Sequence, residues 1–186
     1  MKIEPGQTLI IMDPCYMDAK EMANNGTGAL RVGNPLPGVW MYQIDKYNNH
    51  VSGVTLYHED WYTVADLAGS VGVDSGQIGI FIEQLIPDDP AEYGYRDFGD
   101  KTFWTRCCDQ TSDNVGYGVV REGLVTLTGY GDGEYTVKVA KKIIDGVEWV
   151  IGVEMTFIVN YDDDFYSNDD RYDLQDADWD DSVDDK

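Results

Sequence analysis

The chain has 186 residues, with 35 aspartates and glutamates against 13 lysines and arginines, so its formal net charge is −22. Such a charge excludes a nucleic-acid binder that works through a basic surface, because neutralising phosphates requires clustered lysine and arginine. The apolar fraction of 42% is sufficient for one sizeable core. The sequence shows no apolar run of about 18 residues and no leader pattern, so we expect a cytoplasmic protein without a membrane partner.

Alternation of apolar and polar residues predicts several strands in the first half of the chain. They cover residues 9–12, 39–44, 51–57 and 78–86, and clusters of turn residues separate them. One helix is predicted where Trp61 and Ala68 share an apolar face, with Gly69 as its end. A shorter helix is expected over 18–23, and residues 90–113 remain ambiguous between a helix and loops.

The last strand of the folded part sets a problem of register. Odd positions of 147–159 are apolar, which is typical of a half-buried strand. A two-residue turn before it would place Val137 opposite Glu154, on the wrong face. A three-residue loop, 144–146, instead pairs Val137 with Val153, so we predict the longer loop.

The same test predicts two further hairpins upstream. It places residues 131–133 in a loop, so that Val125 lies beside Val139, and it closes another hairpin at residues 122–123. Together these pairings predict a four-stranded antiparallel meander over 115–159.

The predicted fold is mainly β, with some α+β character. We expect an antiparallel meander sheet folded as a sandwich or small barrel, with one or two short helices, one of which plugs an end. Residues 1–160 would form this β-rich globular domain, and residues 161–186 an acidic C-terminal tail.

The sequence has three cysteines, Cys15, Cys107 and Cys108. Because their number is odd, they cannot all form disulfides within the chain, and we expect reduced thiols.

The tail is predicted to be disordered when free. It holds 12 aspartates against Arg171 and Lys186, and aspartate is a poor helix former whose like charges repel. Aromatic residues alternate with the acids, a composition that can fold onto a basic groove; a purely solvating tail is the alternative. The residues predicted to contact a partner are Asp162, Asp163, Asp164, Phe165, Tyr166, Asp169, Asp170, Tyr172, Asp178, Trp179, Asp180 and Asp181. Asp176, Asp178 and Asp180 have the one, three, five spacing of a calcium loop, but Asp181 stands where that loop needs glycine and no glutamate closes it, so we expect no metal and no cofactor.

Three short segments have an unusual composition: Asp13-Pro14-Cys15-Tyr16, Val73-Asp74-Ser75-Gly76-Gln77 and Gly129-Tyr130-Gly131-Asp132-Gly133-Glu134-Tyr135. In this order they resemble an uncharacterised family of phage and bacterial proteins with DPCY, VDSGQ and GYGDGxY motifs. The resemblance spans about residues 8–136. It implies a β-rich fold and a phage origin, and it implies no activity.

The three motifs are expected to meet, because strand ends of an antiparallel sheet gather at one rim. The pocket candidates there are Asp13, Cys15, Asp74, Ser75, Gln77 and Asp132. They would form a ligand pocket or a hydrolytic site with Cys15 or Ser75 as nucleophile. Neither His50 nor His58 lies in a motif to accept the proton, and simple turn and packing roles remain open for every candidate.

Two function hypotheses follow from these observations. The first is an acidic inhibitor that imitates DNA and occupies the basic groove of a nucleic-acid-handling host protein, such as a restriction or CRISPR nuclease complex. The second is a ligand-sequestering or hydrolytic protein that uses the pocket at the strand ends. A phage assembly factor whose acidity only keeps it in solution is a third option.

Overall fold

The structure, a computed structural model, describes residues 1–59, 61, 65–94, 101–112 and 115–158. Its strands are β1 (Lys2–Ile3), β2 (Leu9–Met12), β3 (Leu30–Val32), β4 (Gly38–Tyr47), β5 (His50–His58), β6 (Asp66–Val73), β7 (Gln77–Ile82), β8 (Tyr117–Val120), β9 (Gly123–Leu127), β10 (Gly133–Ile144) and β11 (Val147–Thr156). They form two antiparallel sheets, ordered β1-β4-β5-β11-β10-β6 and β3-β2-β7-β9-β8. The predicted tail, 161–186, lies outside the described residues.

The two sheets pack face to face around the main core. Val54 and Leu56 of the six-stranded sheet and Ile78 and Ile80 of the five-stranded sheet belong to this one cluster, and each is at most 1% exposed. Each sheet has two edge strands among the described elements, so the fold is an open sandwich and not a closed barrel. The prediction of a mainly β, antiparallel fold is confirmed.

Three short helices cover the outer face of the five-stranded sheet. They are α1 (Ala19–Asn25), α2 (Pro90–Tyr93) and α3 (Phe103–Ser112). Phe81 of β7 stacks edge-on against Phe103, with ring centroids 5.0 Å apart, in a second apolar cluster. β7 is therefore buried on both faces, which explains its continuous apolar run. α1 confirms the helix predicted over 18–23, and α2 and α3 show that the ambiguous segment 90–113 contains helices. The predicted end plug is wrong because the helices form a third layer.

The hairpin between β10 and β11 has the shorter turn. Asp145 and Gly146 both have positive φ, at 52° and 80°, so a two-residue turn joins the strands and the predicted three-residue loop is wrong. The conflict over faces is resolved further along, where Ile151 is an extra residue that forms a β-bulge in β11. Beyond the bulge Val137 pairs with Met155, and the apolar face is restored.

The predicted four-stranded meander is divided between the two sheets. β8 and β9 form a hairpin as expected, although its turn lies at residues 121–122 and not at 122–123. The hairpin predicted around 131–133 is wrong: β9 pairs with β7, and β10 pairs with β6 and β11. Residues 128–132 thus cross from one sheet to the other.

β6 occupies part of the segment predicted as a helix. Ala68 and Gly69 lie in this strand, so the helix prediction is wrong for residues 66–69, while residues 60 and 62–64 lie outside the described part. Val71 and Val73 point into the main core with at most 2% exposure. Burial of these two valines favours the strand over the helical spacing of the alanines. No helix within the described residues has the length and apolarity needed to span a bilayer.

Candidate functional site

The three motifs meet at one end of the sandwich. The DPCY turn after β2 contacts the turn between β6 and β7, where Asp13 bonds Asp74 and Ser75. The crossing segment contacts the same turn, because the Thr128 N–H donates to the Gly76 carbonyl at 3.0 Å. The structure therefore brings DPCY, VDSGQ and GYGDGxY together, as the placement of strand ends predicts.

Asp13 is the centre of this arrangement and is fully buried. Its Oδ2 accepts hydrogen bonds from the backbone N–H groups of Asp74 and Ser75, both at 2.7 Å. Its Oδ1 accepts from the Ser75 hydroxyl at 2.6 Å and from the Cys15 N–H at 2.8 Å. A buried carboxylate is stable where donors compensate its lost hydration. The hydrogen bonds of Asp13 thus join two turns that lie about sixty residues apart in sequence.

Two tyrosines hold the outer side of the DPCY turn. The buried Tyr93 hydroxyl lies 2.9 Å from the carbonyl oxygens of both Pro14 and Tyr16. The Tyr16 hydroxyl donates to Asp74 Oδ2 at 2.7 Å. Tyr93 comes from α2, and its role could not be recognised in the sequence because nothing in the motifs points to it.

The candidate nucleophiles are not activated in this environment. Burial and the nearby Asp13 carboxylate raise the pKa of the Cys15 thiol, so it stays protonated at neutral pH. The Ser75 hydroxyl is used as a donor to Asp13. No hydrogen bond among the described residues joins a histidine to Cys15 or Ser75: the His58 ring stacks edge-on against Trp40, and His50 begins β5. The geometry does not support a hydrolytic triad.

Gln77 and Asp132 differ from the other candidates. Gln77 is 7% exposed, and its Nε2 donates to the Cys108 sulfur at 3.7 Å. Its Oε1 has no hydrogen-bond partner in the part of the chain that the structure describes. Asp132 is exposed, whereas its neighbour Gly131 lies close to Gly76 of the β6–β7 turn. Asp132 is therefore not part of the buried cluster.

A cavity of about 220 Å³ opens beside the motif turns. Its walls include Gly76, Gly129 and Gly131 from the motifs, Val51 and Leu127 from neighbouring strands, Val115 just before β8, and His50. The three glycines have φ between 67° and 90°, where any other residue is strained. A methyl group on Gly129 would lie 2.3 Å from the Val51 carbonyl oxygen, so this close approach requires glycine.

The surface of the described body is strongly acidic. Six basic side chains form ion pairs with acidic side chains: Lys2, Lys20, Arg31, Arg121, Lys138 and Lys141. Within the described ranges, twelve exposed carboxylates form no ion pair: Asp18, Glu21, Asp45, Glu59, Asp66, Asp74, Asp89, Asp109, Glu122, Asp132, Glu134 and Asp145. The acid excess therefore lies on the surface of the folded body as well as in the tail sequence.

Comparison with models of protein families, with curated proteins and with solved structures finds no match for this chain. The resemblance to the phage and bacterial family therefore stays a prediction based on the three motifs. Within the described residues, no three histidine, cysteine or acidic side chains are grouped so that they could hold a metal ion.

Proposed function

We propose that the protein is an acidic, phage-type inhibitor that acts in the host cytoplasm. Its carboxylates occupy the basic groove of a nucleic-acid-handling host protein, such as the nuclease of a defence system, and compete with nucleic acid for that groove. The observation that carries this proposal is the set of twelve exposed carboxylates without an ion pair. A rigid sandwich holds them at fixed spacing, which favours complementarity with a fixed basic surface.

Electrostatics supports a basic macromolecular partner. The net charge of −22 creates a negative potential that speeds encounter with a positive groove and repels nucleic acid itself. Duplex DNA presents about one charge per 1.7 Å, and the aspartates of the tail add to those of the body. Aromatic residues such as Phe165 and Trp179 would supply the apolar contacts that phosphates lack. The inactive state of Cys15 and Ser75 is consistent with binding rather than hydrolysis.

The proposal is tested by capture from a nuclease-treated bacterial lysate on the immobilised full-length chain. We expect captured proteins to be basic and nucleic-acid-binding, to be displaced by duplex DNA, and to bind at least about tenfold more weakly at 200 mM than at 50 mM salt, because screening weakens charge contacts. If nothing captured is displaced by duplex DNA, the proposal is wrong.

Matched variants separate charge from shape. Replacing Asp66, Asp132 and Glu134 by their amides neutralises three exposed carboxylates near β6. The control replaces the two aspartates by glutamate and Glu134 by aspartate, so that the charge is kept. The amide variant should bind the captured partner more weakly and the control should not. A chain that ends at residue 160 should lose further affinity, because ten net negative charges are removed.

The cavity beside the motif turns supports a second candidate function, the sequestering of a small ligand. Its wall of Val51, Val115 and Leu127 suits an apolar body, and His50 at its edge suits one polar group. A volume of about 220 Å³ accommodates one aromatic ring with a short substituent.

Titration with benzoate and with benzyl alcohol, followed by NMR, tests this second candidate. We expect saturable shifts at Gly76, Gly129 and Gly131, and Val115→Trp should abolish them by filling the half-exposed mouth of the cavity. Ile143→Trp is the matched control, since Ile143 is 72% exposed and lies away from the cavity lining. Equal shifts in both variants, or no saturation by either compound, would argue against a ligand site here.

A further inference from the structure

Two arginines border one cavity on the helical side of the molecule. The cavity has a volume of about 230 Å³ and lies between α3 and the β8–β9 hairpin. It is lined by Arg106, Asp109, Gln110, Val119, Val120 and Arg121. It is separate from the motif turns, and its lining shares no residue with the cavity beside them.

The fold places both arginines in the lining of this cavity. Arg106 and Gln110 lie four residues apart on α3 and therefore share a face of the helix. α3 packs closely on β8 because Gly118 has no side chain: a methyl group there would lie 2.0 Å from Gln110 Oε1. Arg121 occupies the tight hairpin turn with φ of 45°, and its guanidinium donates to the Leu85 carbonyl oxygen at 3.3 Å.

Arg106 stands out in a chain with so few basic residues. It is exposed, and it forms no ion pair or side-chain hydrogen bond within the described residues, whereas six other basic side chains are paired with acids. Arg121 contacts Glu92 at 3.4 Å and the Leu85 carbonyl, so it keeps free N–H donors. Both arginines therefore border one cavity and have N–H donors without a partner among the described residues.

We propose that this cavity binds the oxyanion group of a small hydroxyl-bearing molecule. Guanidinium groups bind phosphate and carboxylate through paired N–H donors. Asp109 lines the same cavity and would accept a hydrogen bond from a hydroxyl group. The volume of about 230 Å³ equals that of nearly eight waters at about 30 Å³ each, which is enough for one phosphate and a short organic part.

Isothermal titration and NMR with three probes test the proposal: inorganic phosphate, a pentose phosphate and a hydroxy-dicarboxylate. We expect saturable binding in the millimolar range, tightest for whichever oxyanion the natural ligand carries. Arg106→Gln should weaken it at least about tenfold, and this exposed, unpaired residue should be replaceable without loss of folding. Lys141→Gln, which removes the same charge from β10, should change the affinity less than about twofold.

A second variant tests the cavity without changing charge. Gly118→Ala should push Gln110 toward the cavity and weaken binding several-fold, while both arginines remain. If none of the three probes saturates below about 50 mM, or if Arg106→Gln and Lys141→Gln weaken binding equally, the proposed site is excluded. This result would leave the proposed inhibitor function untouched, because that function depends on the carboxylates.

Discussion

Replacing Asp13 by alanine is expected to lower the free energy of unfolding by about 3 to 5 kcal/mol. The carboxylate is fully buried and accepts from three backbone N–H groups and one hydroxyl. Each buried donor left without an acceptor costs about 1–3 kcal/mol, and water entering the space would recover part of this sum. Urea unfolding followed by circular dichroism measures the difference.

Two further variants show whether the hydrogen bonds cause the effect. Asp13→Asn keeps the volume but turns an N–H₂ group toward two backbone donors, so it should be nearly as destabilising as alanine. Asp132→Ala, at an exposed position of the third motif, should change stability by less than about 0.5 kcal/mol. If all three variants change the free energy of unfolding by the same small amount, the hydrogen bonds of Asp13 do not stabilise the joined turns.

The structural role of Asp13 affects how the motifs should be tested for function. An Asp13 variant loses activity under either function hypothesis, because it disturbs the turns that carry Cys15 and Ser75. Asp132 is exposed, so a variant there separates the hypotheses without this ambiguity. An inhibitor should lose part of its affinity because one surface charge is removed, whereas a hydrolase that uses the buried cluster as its site should keep its activity. The buried residues of the motifs support the rim, and the exposed residues of the rim are available to a partner.

Most strands and the pairings β8–β9 and β10–β11 could be predicted from the sequence, but the registers and the long-range pairings could not. The alternation of β11 identified its apolar face, yet the bulge at Ile151 changes the register in a way that no local pattern indicates. The pairing of β9 with β7 is long-range. It is favoured because both faces of β7 are buried, one in the main core and the other against α3. For β6, alanine favours a helix and glycine disfavours both helix and strand, so tertiary burial of Val71 and Val73 decided its conformation.

The meeting of the three motifs could be predicted because each stands at a strand end. The role of Asp13 could not, since its donors Asp74 and Ser75 are about sixty residues away in sequence. In the sequence, Asp13-Pro14 is typical of a simple turn opener. Only the four donors around it show that its oxygens are fully used.

Alkaline pH is expected to destabilise the protein steeply from about pH 9. Burial raises the pKa values of the Cys15, Cys107 and Cys108 thiols in the folded state. Above the ordinary thiol pKa of about 8.5, the unfolded chain loses protons that the folded chain keeps, so the free energy of unfolding falls as pH rises. Fully buried Cys107 alone contributes a slope of up to about 1.4 kcal/mol per pH unit, and half-exposed Cys15 and Cys108 add less because solvent screens them.

Urea unfolding at intervals from pH 7 to 11 in the presence of a reductant measures this slope. Cys107→Ala should lower stability at pH 7, because it leaves a small cavity in the second apolar cluster, and should flatten the slope above pH 9. Buried Tyr93, whose pKa burial also raises, would keep a decline above pH 10 in both proteins. An unchanged slope in Cys107→Ala would show that this thiol ionises in the folded state. The conclusion that Cys15 stays protonated and is not an activated nucleophile would then need revision, because burial is the cause of the raised pKa of both Cys107 and Cys15.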